Sequence, residues 1–139
     1  MCRIVWTTDI HLNFLGTQQI ETFLQSIKTQ QPDSLIISGD IGEAPSIYDY
    51  LRRIANTLNI PIYFVLGNHD FYQSSIQHVR IGISKLVQEV DNLHWLNTET
   101  VIPLNDDTAL VGHDSWSDGR YGAFYQSSLL LNDYFQIQE

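Results

Sequence analysis

Apolar positions between residues 3 and 96 alternate between two rhythms. Arg3 to Thr8 is a β-branched and aromatic run that predicts a strand, ending in Asp9-Ile10-His11. Ile20, Phe23, Leu24 and Ile27 then share one helical face, with Thr17 as N-cap candidate and Gln31-Pro32-Asp33 as the stop. Ser34 to Ser38 predicts the second strand, ending in Gly39-Asp40. Pro45 suits a first helical turn, Ile47, Leu51, Ile54 and Leu58 form an apolar stripe, and Asn59-Ile60-Pro61 ends that helix. The run Pro61 to Leu66 predicts a third strand, followed at once by Gly67-Asn68-His69-Asp70. Ser74 or Ser75 caps a third helix with Ile76, Val79, Ile83, Leu86, Val87 and Val90 on its inner face.

The order β-α-β-α-β, with repeats of about thirty residues, is that of crossover units. Such crossovers are right-handed, so the strands are parallel and their carboxyl ends share one edge. Asp9 and His11, Asp40, and Asn68 to Asp70 are therefore expected at the same edge, where open α/β sheets place ligands. The rest of the chain is less rhythmic. Leu93 to Leu96 and Val101-Ile102 predict short strands, and Asn105-Asp106-Asp107 a turn. Thr108 to Val111 predicts a strand ending in Gly112-His113-Asp114, followed by a glycine-punctuated loop from Ser115 to Gly122. Ser127 to Glu139 is apolar in its first half and shows no finishing turn.

Composition narrows the class. The chain has 139 residues, 43% hydrophobic and 17% charged, with a net charge of −9. That is a core-rich globular chain whose acidic surface opposes nucleic acid and anionic membrane. Clustered carboxylates suit metal ions, although for most of the acidic residues solubility is role enough. A single cysteine, Cys2, rules out an internal disulfide. A strand begins almost at the amino terminus and no run of eighteen apolar residues occurs, so the expected location is cytoplasmic, with no membrane partner.

The strand ends carry chemistry. Two residues apart in an extended segment point the same way, which puts Asp9 and His11 beside one metal. A carboxylate with an imidazole suits manganese, iron(II) or zinc better than calcium. Asp40 could bridge two metals with its two oxygens, and Asn68 could serve the second. Two metals about 3.5–4 Å apart hold a phosphate and activate water. His69 could then protonate the leaving alkoxide, with Asp70 orienting and polarising it.

Asp9-x-His11, Gly39-Asp40 and Gly67-Asn68-His69-Asp70, in that order, resemble the signature of the calcineurin-like metallophosphoesterases. The resemblance implies an α/β layered sandwich and hydrolysis of phosphomonoesters or phosphodiesters at a dinuclear metal site. It places Asp9 and His11 on the first metal, Asp40 between the metals and Asn68 on the second. His69 becomes the proton donor or phosphate contact and Asp70 its partner. Members of that family supply further histidines later, including a Gly-His-x-His pair; no Gly-His-x-His occurs here, and after His69 only His78, His94 and His113 remain. Gly112-His113-Asp114 superficially resembles that missing piece, but the loop Trp116 to Arg120 that follows resembles a substrate-side loop. His113 is read as a substrate contact, a plain loop residue or, third, a metal ligand, and Arg120 as a phosphate contact or a surface arginine.

The sequence is therefore read as the amino-terminal portion of a single metallophosphoesterase domain, over residues 1–139. Three readings follow. The chain is a phosphoester hydrolase; or a catalytically weak or inactive remnant with one metal on Asp9, His11 and Asp40; or a half-domain whose unfinished sheet needs a partner chain or a second copy. His78 and His94 are read as boundary and structural residues, and Glu43 as a neighbour of the site or a charge near a helix start.

Overall fold

The computed structural model describes residues 2–99, 101–117 and 119–138. Asp118 of the glycine-punctuated loop and the terminal Glu139 lie outside the described residues. Strands β1 (Ile4–Thr7), β2 (Ser34–Ser38), β3 (Ile62–Val65) and β4 (Leu93–Trp95) form one parallel sheet in the order β1-β2-β3-β4. Helices α1 (Thr17–Thr29), α2 (Ile47–Leu58) and α3 (Ile76–Glu89) connect them. The mixed α/β class and the parallel crossovers are as the hydrophobic pattern predicts. Because the strand order never reverses, right-handed crossovers carry all three helices onto the same face of the sheet. In keeping with this, α1 packs beside α2 and α2 beside α3. There is accordingly no switch-point crevice, and the site has to be built by loops meeting along the carboxyl edge.

Two rows cross the sheet toward the helices: Val5-Leu35-Ile62-Leu93 and Thr7-Ile37-Phe64-Trp95. Beyond the partly buried Val5 and Thr7, these residues are buried, and they meet Ile20, Leu24 and Ile27 of α1, Leu51 and Ile54 of α2, and Val79 and Ile83 of α3 in one core. Burial of each large apolar side chain stabilises the fold by about 1.5–3 kcal/mol. Arg53 pairs with Glu21 across α2 and α1, and Arg52 with Glu89 across α2 and α3. These exposed pairs contribute at most about 1 kcal/mol each. The opposite face carries the row Trp6-Ile36-Tyr63-His94, none of it buried, with Trp6 69% exposed.

Local ends differ from the expectation in small ways. Gly16, not Thr17, is the N-cap of α1, and Gln19 closes the turn by accepting from its N–H. Pro45 sits in the turn before α2 rather than inside it. Asn59 ends α2 in the left-handed conformation, and the Ser75 hydroxyl caps α3 by accepting from the His78 N–H. The later strands leave the main sheet: β5 (Ile102–Asn105) and β6 (Thr108–Leu110) make a separate antiparallel hairpin. The tail holds a single short helix, α4 (Asp133–Gln136), beyond a 3-10 turn at Phe124–Gln126. Among the described residues no helix is long and apolar enough to cross a membrane.

Candidate metal centre

The chain leaves β1 and runs along the end of β2. The N–H groups of Asp9, His11 and Leu12 donate to the carbonyls of Gly39, Asp40 and Ile41 at 3.2, 2.9 and 2.9 Å. This backbone ladder brings two polar loops into register. Asp9 and His11 do not reach the same place as alternate residues of an extended strand. Both lie at positive φ, 51° and 39°, as does Asp40 at 51°. Only six non-glycine residues among those described adopt such angles, and three are these. Left-handed backbone at a non-glycine costs on the order of 1 kcal/mol, and it concentrates at functional sites.

The result is a compact cluster. One ligand atom each from Asp9, His11 and Asp40 lies within 4.8 Å of the others. His11 Nε2 stands 3.8 Å from Asp40 Oδ2, while the other oxygen, Oδ1, accepts from the His69 N–H at 3.2 Å. Asp40 thus faces the β1 loop with one oxygen and the β3 loop with the other. Glycine makes this approach possible. A Cβ on Gly67 would fall 2.1 Å from Asp40 Oδ1, and one on Gly39 would fall 2.8 Å from the Gly67 nitrogen.

Asn68, His69 and Asp70 follow β3 in a tight 3-10 turn. The His69 ring meets His11 edge-on at 4.8 Å and lies against Tyr72 at 4.3 Å. Asp70 was expected to orient the His69 imidazole, but its oxygens are engaged elsewhere. It is fully buried; Oδ1 accepts from the N–H groups of Ile41 and Gly42 at 2.8 and 3.0 Å, and Oδ2 from that of Gly67 at 2.9 Å. Its carboxylate ties the ends of β2 and β3 together through their backbones. Burial pushes its pKa up to about 7, opposed by the Gly42, Gly67 and Ile41 amides and reinforced by Asp40.

Three neighbours were not anticipated. Asp133 from α4 accepts from Asn68 Nδ2 at 2.8 Å and from the Tyr72 hydroxyl at 2.7 Å. Tyr72 itself covers His69, and burial, then Asp133, push its hydroxyl up to about 12. Asp114, also buried, accepts from the Leu66 N–H at 2.8 Å and from the Trp95 indole at 3.0 Å, fixing the residue just before Gly67. No local signal marks Asp114 or Asp133, because each acts across a long separation in sequence. Of Gly112-His113-Asp114, the aspartate turns inward and His113 stays exposed. Arg120 is exposed and lines an open cleft of about 590 Å³ with Arg80, Asp114 and Trp116.

The donor set fits a divalent cation. Two carboxylates and an imidazole converge, and His11 Nδ1 is buried without a hydrogen-bond partner, so that nitrogen is not consumed by the protein. Among the described residues this is the one cluster of three such groups. Among the described residues no second histidine joins it.

Comparison with known proteins gives the same direction. The family model for calcineurin-like phosphoesterases matches residues 2–136. A UDP-2,3-diacylglucosamine hydrolase of Shewanella pealeana is 29% identical over 133 residues, 88% of this chain and 54% of the relative. A probable cyclic nucleotide phosphodiesterase of Pseudoalteromonas sp. is 38% identical over 81 residues, 49% of this chain and 31% of the relative. A Bos taurus transmembrane protein with a metallophosphoesterase domain is 30% identical over 82 residues, 55% of this chain and 18% of the relative. This chain thus spans about half the length of these relatives or less. No solved structure gives a significant match. A match over nearly the whole chain, on top of three polar strand ends gathered at one edge, means that the chain belongs to the calcineurin-like phosphoesterase family.

Proposed function

We propose that this protein is a metal-dependent phosphoesterase acting on phosphodiesters and, more slowly, on phosphomonoesters. The observation that carries the reading is the convergence of Asp9, His11 and Asp40 within 4.8 Å, beside the loop that bears Asn68 and His69. Asp9 and His11 would hold a first divalent cation (manganese, iron or zinc), Asp40 would contribute beside them, and Asn68 would serve a second. When bound, such cations supply Lewis acidity toward a phosphoryl oxygen and make water a nucleophile at neutral pH. His69, held between His11 and Tyr72, gives a proton to the leaving oxygen. Asp70 acts by fixing the backbones of both loops. Arg120, and His113 on the same loop, serve the substrate side; a guanidinium there gives an anionic substrate a local cation on a chain of net charge −9. The relative named as a cyclic nucleotide phosphodiesterase favours diesters.

Purified protein with added manganese, assayed on aryl phosphate mono- and diesters, is expected to turn over both, the diester faster. Asp40→Ala should abolish it. Turnover equal to that of Asp40→Ala overturns the reading.

The open sheet face favours one further reading, a half-domain that meets a partner layer there. Trp6, Ile36, Tyr63 and His94 form a continuous, partly apolar and partly exposed row, and such faces mark contacts. Sedimentation should then show self-association, weakened by Trp6→Lys. A compact monomer at high concentration counts against it.

A further inference from the structure

We infer that Asp133 is a positioning residue that selects the metal-binding orientation of Asn68; this rests on the proposed role of Asn68 at the second cation. An asparagine amide has two faces of opposite chemistry. Its NH2 only donates and its carbonyl oxygen only accepts, and a hard cation takes the oxygen. Left alone, the amide turns over freely. A carboxylate accepts only, so an amide that packs against one must offer its nitrogen. Here Asp133 Oδ1 receives Asn68 Nδ2 at 2.8 Å, leaving the carbonyl oxygen on the other branch of the amide for a cation.

The hold is reinforced from two sides. The Tyr72 hydroxyl donates to the same Asp133 oxygen at 2.7 Å, and the Tyr72 ring lies against His69. One carboxylate from the tail therefore sets both the amide of Asn68 and the wall of the proton donor. Main-chain bonds also hold the tail beside this loop. The Gln73 N–H donates to the Gln136 carbonyl at 2.8 Å and the Gln138 N–H to the Ser74 carbonyl at 2.7 Å, next to α4. Asp133 is thus delivered by a backbone clamp, and its side chain is spent on Asn68 and Tyr72. Partners that orient a ligand in this way typically carry about 10–100-fold in metal affinity.

The full chain tests this in two measurements: side-chain amide NMR of Asn68 in metal-free protein, and calorimetric titration with manganese. In Asp133→Ala the Asn68 amide protons should move toward free-amide positions and exchange faster with water. The second manganese should bind about tenfold or more weaker, with the first within about twofold of wild type. Asp133→Asn, which keeps the size and an acceptor but permits either amide face, should fall between. The exchanged pair Asn68→Asp with Asp133→Asn should recover the second site above Asp133→Asn alone, because the new amide donates to the new carboxylate. Unchanged Asn68 amide signals in Asp133→Ala, or an unchanged second affinity beside a wild type that binds two, overturns the inference. A wild type that binds one manganese overturns the two-metal reading instead, and the amide signals still decide whether Asp133 holds Asn68.

Discussion

The Asp9–His11–Asp40 side of the cluster and the Asn68–His69 side are held by different means. On the first side, backbone N–H groups of the β1 loop bond directly to carbonyls of the β2 loop, so neighbouring strand ends position their own side chains. On the second side, the polar residues lean on groups from far along the chain. Asp114 fixes Leu66 from 48 positions away, and Asp133 fixes Asn68 from 65. One side is local and set by main chain; the other is remote and set by side chains. Asp40 and Asp70 join them. The difference teaches that a parallel sheet edge supplies half of such a site by topology alone, and that the second half must be added by whatever the chain does after the sheet.

Gly67→Ala breaks both sides at once. Its Cβ has no room beside Asp40 Oδ1, so the shared carboxylate has to move by an ångström or more. The expected effect is a drop in diester kcat/KM of roughly 100-fold. Wild-type kinetics in this variant would mean that the position of Asp40 does not matter to turnover. Asp70→Ala should loosen the joint from inside. It leaves the Ile41, Gly42 and Gly67 N–H groups without their acceptor, at a cost of about 3 kcal/mol or more in urea unfolding. A loss under about 1 kcal/mol would show that the two sides are tied elsewhere.

The same carboxyl gives a pH test. Its folded pKa of about 7 lies above the ordinary value of 3.8, so the folded protein keeps a proton that the unfolded chain releases. In metal-free protein its contribution to stability is full below about pH 4 and is lost as pH rises toward 7. Unfolding midpoints across that range should fall with pH in wild type and change less in Asp70→Asn. Equal slopes would remove Asp70 as the source. The smallest effect separates the two sides most cleanly. Tyr72→Phe loses one hydroxyl bond to Asp133, worth about 1 kcal/mol, and keeps the ring on His69. Second-site manganese affinity should fall severalfold while the first site is untouched; equal losses at both would contradict the division.

Where the sequence speaks clearly, the reason is periodicity. The stripes of α1, α2 and α3 and the runs of β2 and β3 lie where apolar spacing puts them, since each element buries one face in one core. The polar strand ends were legible for the same reason: a residue next to a strand inherits its place from the strand. The manner of convergence was not. Positive φ at Asp9, His11 and Asp40 leaves only a weak trace in residue type, because aspartate and histidine, although enriched at such angles, mostly occupy ordinary ones. The hairpin of β5 and β6 carries runs much like those of the sheet, and nothing in Ile102 or Leu110 tells which strand each will join. Asp70 illustrates a last difficulty. A carboxylate beside a histidine invites a pairing, yet the backbone amides of three loop residues take both oxygens.

The left-handed backbone at Asp9, His11 and Asp40 has a consequence for how this protein changes over generations. Glycine accepts those angles without strain, so replacing any of the three with glycine relieves about 1 kcal/mol locally while deleting a proposed ligand. Stability and chemistry therefore pull in opposite directions at these positions. A lineage released from that chemistry would meet least resistance to glycine at Asp9 and His11, while Asp40 would still be kept as the acceptor of the His69 N–H. One that still used it would have to hold those residues against a steady mutational gradient.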